Sequence, residues 1–166
     1  MTLSDFAIRA LDPLDDGELV RRVYARSWPA TCREDYSADA VIERLGIRDL
    51  LWWQRKLSHS PVRLAGVTES GAYGFALAAP EESGWDFSYL FCEPEAFGTG
   101  LAAALHDAVL ENLKEHTDRV GGWVLRGNER SQRFLATRGW ENHGVQTPPW
   151  PEVSVQFVRF ELPLDR

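Results

Sequence analysis

Residues 92–105 read Cys92-Glu93-Pro94-Glu95-Ala96-Phe97-Gly98-Thr99-Gly100-Leu101-Ala102-Ala103-Ala104-Leu105. Glu93-Pro94 stops the aromatic run Trp85–Cys92, which alternates as a strand, and a helix opens inside the small residues that follow. Leu101, Ala104, Leu105, Ala108, Val109 and Leu113 form one face, which predicts a helix from about Thr99 to Glu115. The first N–H groups of a helix have no acceptor within it and carry the positive end of its dipole. Gly98 and Gly100 leave that backbone open to approach, and Ala102 and Ala103 add little bulk. The turn therefore has the chemistry of a pyrophosphate site. Taken alone, the same glycines also suit a tight strand-to-helix connection at positive φ. No Gly-Lys-Ser/Thr follows, so this is not a Walker A loop. The third glycine of a dinucleotide fingerprint is missing, and the unit comes fourth in strand order.

Outward from this turn the pattern is that of an α/β chain. Phe6–Leu11 reads as a strand ended by Asp12-Pro13. Asp15-Asp16 suit a helix start, and Leu19, Val20, Val23 and Tyr24 carry that helix to about Ser27, with Pro29 closing it and 29–36 as a loop. Ser37 is a cap for a second helix with Ala40, Val41 and Leu45 on one face, interrupted at Gly46. Leu50, Leu51, Trp53 and Leu57 predict a third, to Ser58. Val62–Val67 and Ala72–Ala78 flank the turn Glu69-Ser70-Gly71 as an antiparallel hairpin. After the long helix come a strand at Gly122–Arg126, a helix from Asn128 to about Thr137 ended by Gly139, and two closing strands, Trp140–Val145 and Val153–Leu162. Strands and helices in this order predict one α/β domain over residues 1–166, built on a mixed sheet.

Bulk composition narrows the function. The chain has 166 residues, 44% of them hydrophobic, enough for one core. Its net charge of −7 argues against a nucleic-acid partner, which needs clustered Lys and Arg, and is compatible with an amine. Cys32 and Cys92 have neither CxxC nor metal-ligand spacing, so no metal is expected. Residues 1–12 lack a basic n-region and an apolar h-region, and no apolar run approaches the roughly 18 residues of a membrane span. The expected compartment is the cytoplasm, with no membrane partner. The seven tryptophans suit either core packing or an aromatic-lined pocket.

On two motifs the chain resembles the GNAT acyltransferase superfamily. The family's Gln/Arg-x-x-Gly-x-Gly/Ala falls on Phe97-Gly98-Thr99-Gly100-Leu101-Ala102, with both small positions matched and Phe97 where Arg or Gln is usual. Its Asn-x-x-Ala-x-x-Phe-Tyr-x-x-x-Gly-Phe is similar to Asn128–Trp140, in register at Asn128, Ser131, Phe134, Gly139 and Trp140. Leu135 stands where the family often has a catalytic tyrosine. The resemblance covers nearly the whole chain. It implies a mostly antiparallel central sheet flanked by helices, and acetyl-CoA lying beside the strand Trp85–Cys92. Its pantetheine arm would add to the strand near Leu90, Phe91 and Cys92, and its pyrophosphate would sit over Phe97–Ala102. Asn128 and Ser131 would meet the cofactor, although Asn128 also reads simply as a helix cap.

The implied chemistry is acetyl transfer to a primary amine. The Leu90 N–H would hold the thioester oxygen as charge develops on it, and a base must take the amine's proton. Asp86, four residues before Leu90 and by period two on the same face, is the first candidate. Glu82, Glu34, Asp35 and His143 rank below it. Tyr89 is expected on the opposite face from Asp86, and His106 on the helix surface. The acceptor should lie between 29–36 and 146–152, against Trp28, Glu34, Tyr36 and Trp150, in an apolar pocket with a few acids. A small-molecule amine is the first expectation. The alternatives are a protein or peptide N-terminus or lysine, and an acyl-CoA-binding module with little turnover. Monomer and homodimer both remain open.

Overall fold

The computed structural model describes residues 5–150 and 155–165. In chain order the elements are β1 (Ala7–Ala10), α1 (Gly17–Cys32), α2 (Ala38–Ile47), α3 (Leu50–Ser58), β2 (Val62–Thr68), β3 (Gly71–Glu81), β4 (Gly84–Cys92), a 3₁₀ turn (Pro94–Ala96), α4 (Leu101–Leu113), β5 (Arg119–Leu125), α5 (Glu129–Thr137), β6 (Glu141–Gln146) and β7 (Phe157–Pro163). The strands form one seven-stranded sheet in the order β1-β2-β3-β4-β5-β7-β6. All pairings are antiparallel except β4 with β5. The mostly antiparallel α/β architecture is the one expected. Among the described residues, no helix is long and apolar enough to cross a membrane.

The helix starts follow local chemistry. Ser37 Oγ accepts from the Ala40 N–H at 3.2 Å, as the sequence predicts, and Asp49 Oδ1 caps α3 through the Trp52 N–H at 2.8 Å. The β2–β3 hairpin turns on Glu69 and Ser70, with Gly71 at φ 136. α1 departs from expectation, because Pro29 lies inside it and the helix runs on to Cys32. Proline removes one N–H from the ladder, yet Tyr24, Trp28 and Cys32 recur four apart and are all buried. Packing of that stripe holds the last turn, and Thr31 Oγ1 donates to the Trp28 carbonyl at 2.9 Å. β5 begins three residues before the sequence signal, since Arg119, Val120 and Gly121 pair with β7. The last strand begins at Phe157; of its expected start, Val153 and Ser154 lie outside the described residues.

The sheet has a core on each face. On one, α4 lays Leu101, Leu105, Val109 and Leu113 on Ala76, Ala78, Val120 and Phe160. On the other, α1 and α3 bring Val20, Val23, Tyr24, Trp53 and Leu57 onto Phe75 and Leu77. Apolar faces at helical spacing meeting period-two strands explain both layers.

Candidate active site

β4 decides the geometry of the site. Its register with β3 shifts between Leu77 and Ala78, which face Tyr89 and Phe87, so Ser88 is an extra residue on β4. An extra residue reverses the alternation of side chains beyond it. Trp85, Phe87, Leu90 and Cys92 therefore pack on the α4 side, while Tyr89 and Phe91 pack on the α1 side. Asp86, opposite Ala79, falls on the α1 side as well. This corrects two expectations. Asp86 does not share a face with Leu90, and Tyr89 shares the face of Asp86.

β4 and β5 pair only at Trp85–Val120 and Asp86–Gly121, then diverge. Beyond that point β4 residues 87–92 have no partner on β5 among the described residues, and a cavity of about 460 Å³ opens in the gap. Phe87, Leu90, His106, Phe134, Leu135 and Trp140 line it on the α4 side; Tyr24, Trp28, Tyr36, Asp86, Tyr89 and Trp150 line it on the α1 side. It thus passes through the plane of the sheet. Gly122 lies in the wall of this gap, where a Cβ would come into ordinary contact with the Phe87 carbonyl oxygen at 3.8 Å.

The glycine turn follows the C-terminal end of β4. Gly98 and Gly100 have φ of 76 and 87, and a Cβ on either would meet nothing within 4 Å. Gly100 is the N-cap of α4, which has no side-chain cap. The Leu101 N–H reaches Thr99 Oγ1 only at 3.4 Å. The Leu101 side chain is buried over Gly66. An open, uncapped helix start fits a pyrophosphate. Phe97 lies beneath Arg130 of α5, whose guanidinium carbon sits 3.5 Å from the ring centroid. Sequence reading found no cation at this turn, and tertiary structure supplies one from another element.

Asn128 caps α5, accepting from the Ser131 N–H at 3.2 Å and donating to Ser131 Oγ at 2.9 Å. Both residues also line the cavity. Cys92 is buried, and burial pushes its thiol up to about 12, so it is no nucleophile.

Asp86 is buried, and its Oδ1 accepts from Arg159 Nη2 at 3.0 Å. Gly121 makes this pair feasible, because a Cβ there would lie 1.9 Å from the same nitrogen. Arg159 also stacks 4.8 Å over Trp123. Sequence reading missed Arg159. Gly121-Gly122 inside a strand was the available signal, since glycines there mark close approach.

His106 is buried, not on the helix surface as expected. Its Nε2 accepts from Trp140 Nε1 at 3.0 Å. An indole nitrogen only donates, so the ring proton is on Nδ1, 2.9 Å from Asp107 Oδ1, which Arg138 also holds at 3.1 Å. Burial lowers the His106 pKa against the pull of Asp107. A depressed histidine contributes stability above its unfolded pKa, and that contribution is lost as pH falls through about 6.5 toward the folded value. His106→Gln, which keeps an acceptor for Trp140, should flatten the fall in unfolding free energy from pH 7 to 5 by up to about 1.4 kcal/mol per unit. Burial raises the Glu93 carboxyl, which acts in the opposite sense. It is common to both proteins, so their difference in urea denaturation isolates His106.

The acceptor side differs from expectation in charge. Trp28, Tyr36 and Trp150 line the cavity there, but Glu34 is exposed and outside the lining. The charged groups present are Arg44, Arg48 and Lys56, with Asp86 and the exposed Glu81. Arg44 and Arg48 are four apart near the end of α2, a spacing that puts both on one face.

No family model matches the sequence, and no curated protein matches it either. Solved structures do. The PaiA N-acetyltransferase from Thermoplasma acidophilum, in complex with coenzyme A, is 16% identical, with a TM-score of 0.81 over 96% of this chain and 99% of that one. A GCN5-related N-acetyltransferase from Rhodopseudomonas palustris is 19% identical, with a TM-score of 0.79 over 99% of both chains. The yncA protein from Salmonella typhimurium, with its cofactor acetyl-CoA, is 18% identical, with a TM-score of 0.67 over 98% of this chain and 96% of that one. A shared path for the whole backbone at such low identity is a likeness of fold, and this chain has the fold of the GNAT N-acetyltransferases.

Proposed function

We propose that the protein is an acetyl-CoA-dependent N-acyltransferase that acetylates the primary amine of a small molecule. The observation that carries this reading is the cavity crossing the sheet where β4 leaves β5. It gives a thioester and an amine separate approaches to one point. The Gly98-Thr99-Gly100 turn would take the pyrophosphate on the first N–H groups of α4, and the unpaired stretch of β4 at Leu90, Phe91 and Cys92 would take the pantetheine amides. The PaiA N-acetyltransferase structure holds coenzyme A and the yncA structure holds acetyl-CoA; here the fit rests on the open turn and on the edge of β4 that β5 leaves unpaired.

The bulge gives Asp86 a more useful place than the sequence implied. On the α1 side it stands with the acceptor, while the Leu90 side chain faces α4. Asp86 takes the amine's proton, held by Arg159. The Leu90 N–H stabilises the thioester oxygen as it gains charge. Leu135 cannot protonate the departing sulfur. A thiol is far more acidic than an alcohol or an amine, so the sulfur can depart as thiolate and transfer proceeds without a general acid at that position. A cavity of about 460 Å³ walled by aromatic side chains favours a small acceptor over a protein chain.

Isothermal titration with coenzyme A and a thiol-release assay across an amine panel test this reading. Binding without release for any amine would leave an acyl-CoA-binding module; absence of binding would defeat both. Arg130 should act as the turn's cation. Arg130→Ala is expected to weaken coenzyme A binding about threefold to tenfold at low salt and less at high salt, because the group is exposed and screened.

A further inference from the structure

We propose that the acceptor is an amine that also carries a carboxylate, on an apolar or aromatic body, and that Arg44, Arg48 and Lys56 form its anion site. This deepens the acyltransferase reading and rests on it. The chain as a whole carries a charge of −7, yet the α1 side of the cavity is lined by three cations against two carboxylates. One carboxylate, Asp86, is already paired with Arg159, and the other, Glu81, is exposed. Among the described residues no carboxylate lies within 4.0 Å of Arg44, Arg48 or Lys56 as an ion-pair partner.

These cations are held over rings. Arg44 lies 5.8 Å from the Trp28 centroid and 5.3 Å from that of Tyr36. Arg48 lies 4.7 Å from Trp52 and 5.1 Å from Tyr24, and donates to Tyr24 Oη at 2.7 Å. Lys56 Nζ lies 5.5 Å from Tyr89. Stacking fixes a guanidinium in place and leaves its in-plane donors unused. Among the described residues the Arg44 guanidinium makes no hydrogen bond, and the Arg48 guanidinium makes the one to Tyr24. Forked donors match a carboxylate in a bidentate pair. The same cations help the chemistry, since positive neighbours disfavour an ammonium and raise the share of neutral, nucleophilic amine. They also repel a polyamine.

The test uses the full chain saturated with coenzyme A and matched amines that differ in the carboxylate: L-phenylalanine with 2-phenylethylamine, and L-leucine with isoamylamine, plus spermidine. Binding is read by calorimetry, which does not depend on turnover. The carboxylated member of a pair is expected to bind about tenfold or more tightly than its partner. Arg44→Gln and Arg48→Gln should each bring that ratio toward one without changing coenzyme A affinity, and Arg44→Lys should keep part of it. Equal or tighter binding of the plain amines or spermidine, or no binding of either amino acid, overturns the proposal. Coenzyme A affinity, measured separately, shows whether the acyltransferase reading itself has failed. Should Arg48→Gln unfold, Arg44→Gln carries the test, because among the described residues the Arg44 side chain makes no hydrogen bond that the substitution would remove.

Discussion

Gly100→Val is expected to abolish measurable coenzyme A binding, a loss of about a hundredfold or more, while the protein stays folded. Gly100 has φ 87 and ψ 0. A residue with a Cβ pays about 1–2 kcal/mol in that left-handed region, and a β-branched one more. For a chain of this size that lowers the melting temperature by only a few degrees per kcal/mol. The added side chain also finds room, since nothing lies within 4 Å of its Cβ. On the proposed reading the pyrophosphate stands in that space to reach the first N–H groups of α4. The isopropyl group would occupy it and tilt the amides away. Calorimetry with coenzyme A and a thermal melt separate the two effects. Affinity within about threefold of the native protein would remove the turn from the site.

Asp86→Asn is expected to lower kcat for amine acetylation about a hundredfold to ten-thousandfold, the usual span for loss of a proton acceptor. Asparagine keeps an oxygen for Arg159 Nη2, so folding and coenzyme A affinity should hold. Asp86→Ala should instead cost about 3–5 kcal/mol in stability, because it leaves a buried guanidinium unpaired. Among the described residues Arg159 would retain only Trp123 beneath it and Glu161 at 3.7 Å. The double change Asp86→Leu with Arg159→Leu should recover much of that stability and none of the activity. If Asp86→Asn has native kcat at every pH, the carboxylate serves only to hold Arg159.

Where local chemistry is sufficient, the sequence is legible. Ser37 and Asn128 are caps because a short polar side chain before a helical run has an unpaired N–H within reach. The 62–78 hairpin follows from period-two alternation around Glu69-Ser70-Gly71. Where packing competes with a local rule, packing prevails. Pro29 should end α1, and the buried stripe of Tyr24, Trp28 and Cys32 carries the helix past it. His106 is polar on a helix, and it is buried because Trp140 and Asp107 satisfy both ring nitrogens. The charge lining the α1 side of the cavity departs most from expectation. Net charge is a property of the surface, and the acid expected at the pocket, Glu34, is in solvent, while Arg44 and Arg48 arrive from a helix whose tertiary position no local pattern specifies.

The sequence by itself determined the order of strands and helices, the caps, the glycine turn after Cys92 and the likeness to the GNAT superfamily. Each depends on residues close in the chain, whose hydrogen bonds and backbone angles are set locally. Only the tertiary structure decided which face Asp86 occupies, what holds it, where the turn finds a cation and what charge lines the acceptor side. These depend on one extra residue at Ser88, whose presence is visible only against β3, and on pairs far apart in sequence, Asp86 with Arg159 and Phe97 with Arg130. A strand's alternation fixes its faces only while its register holds, and register belongs to the sheet.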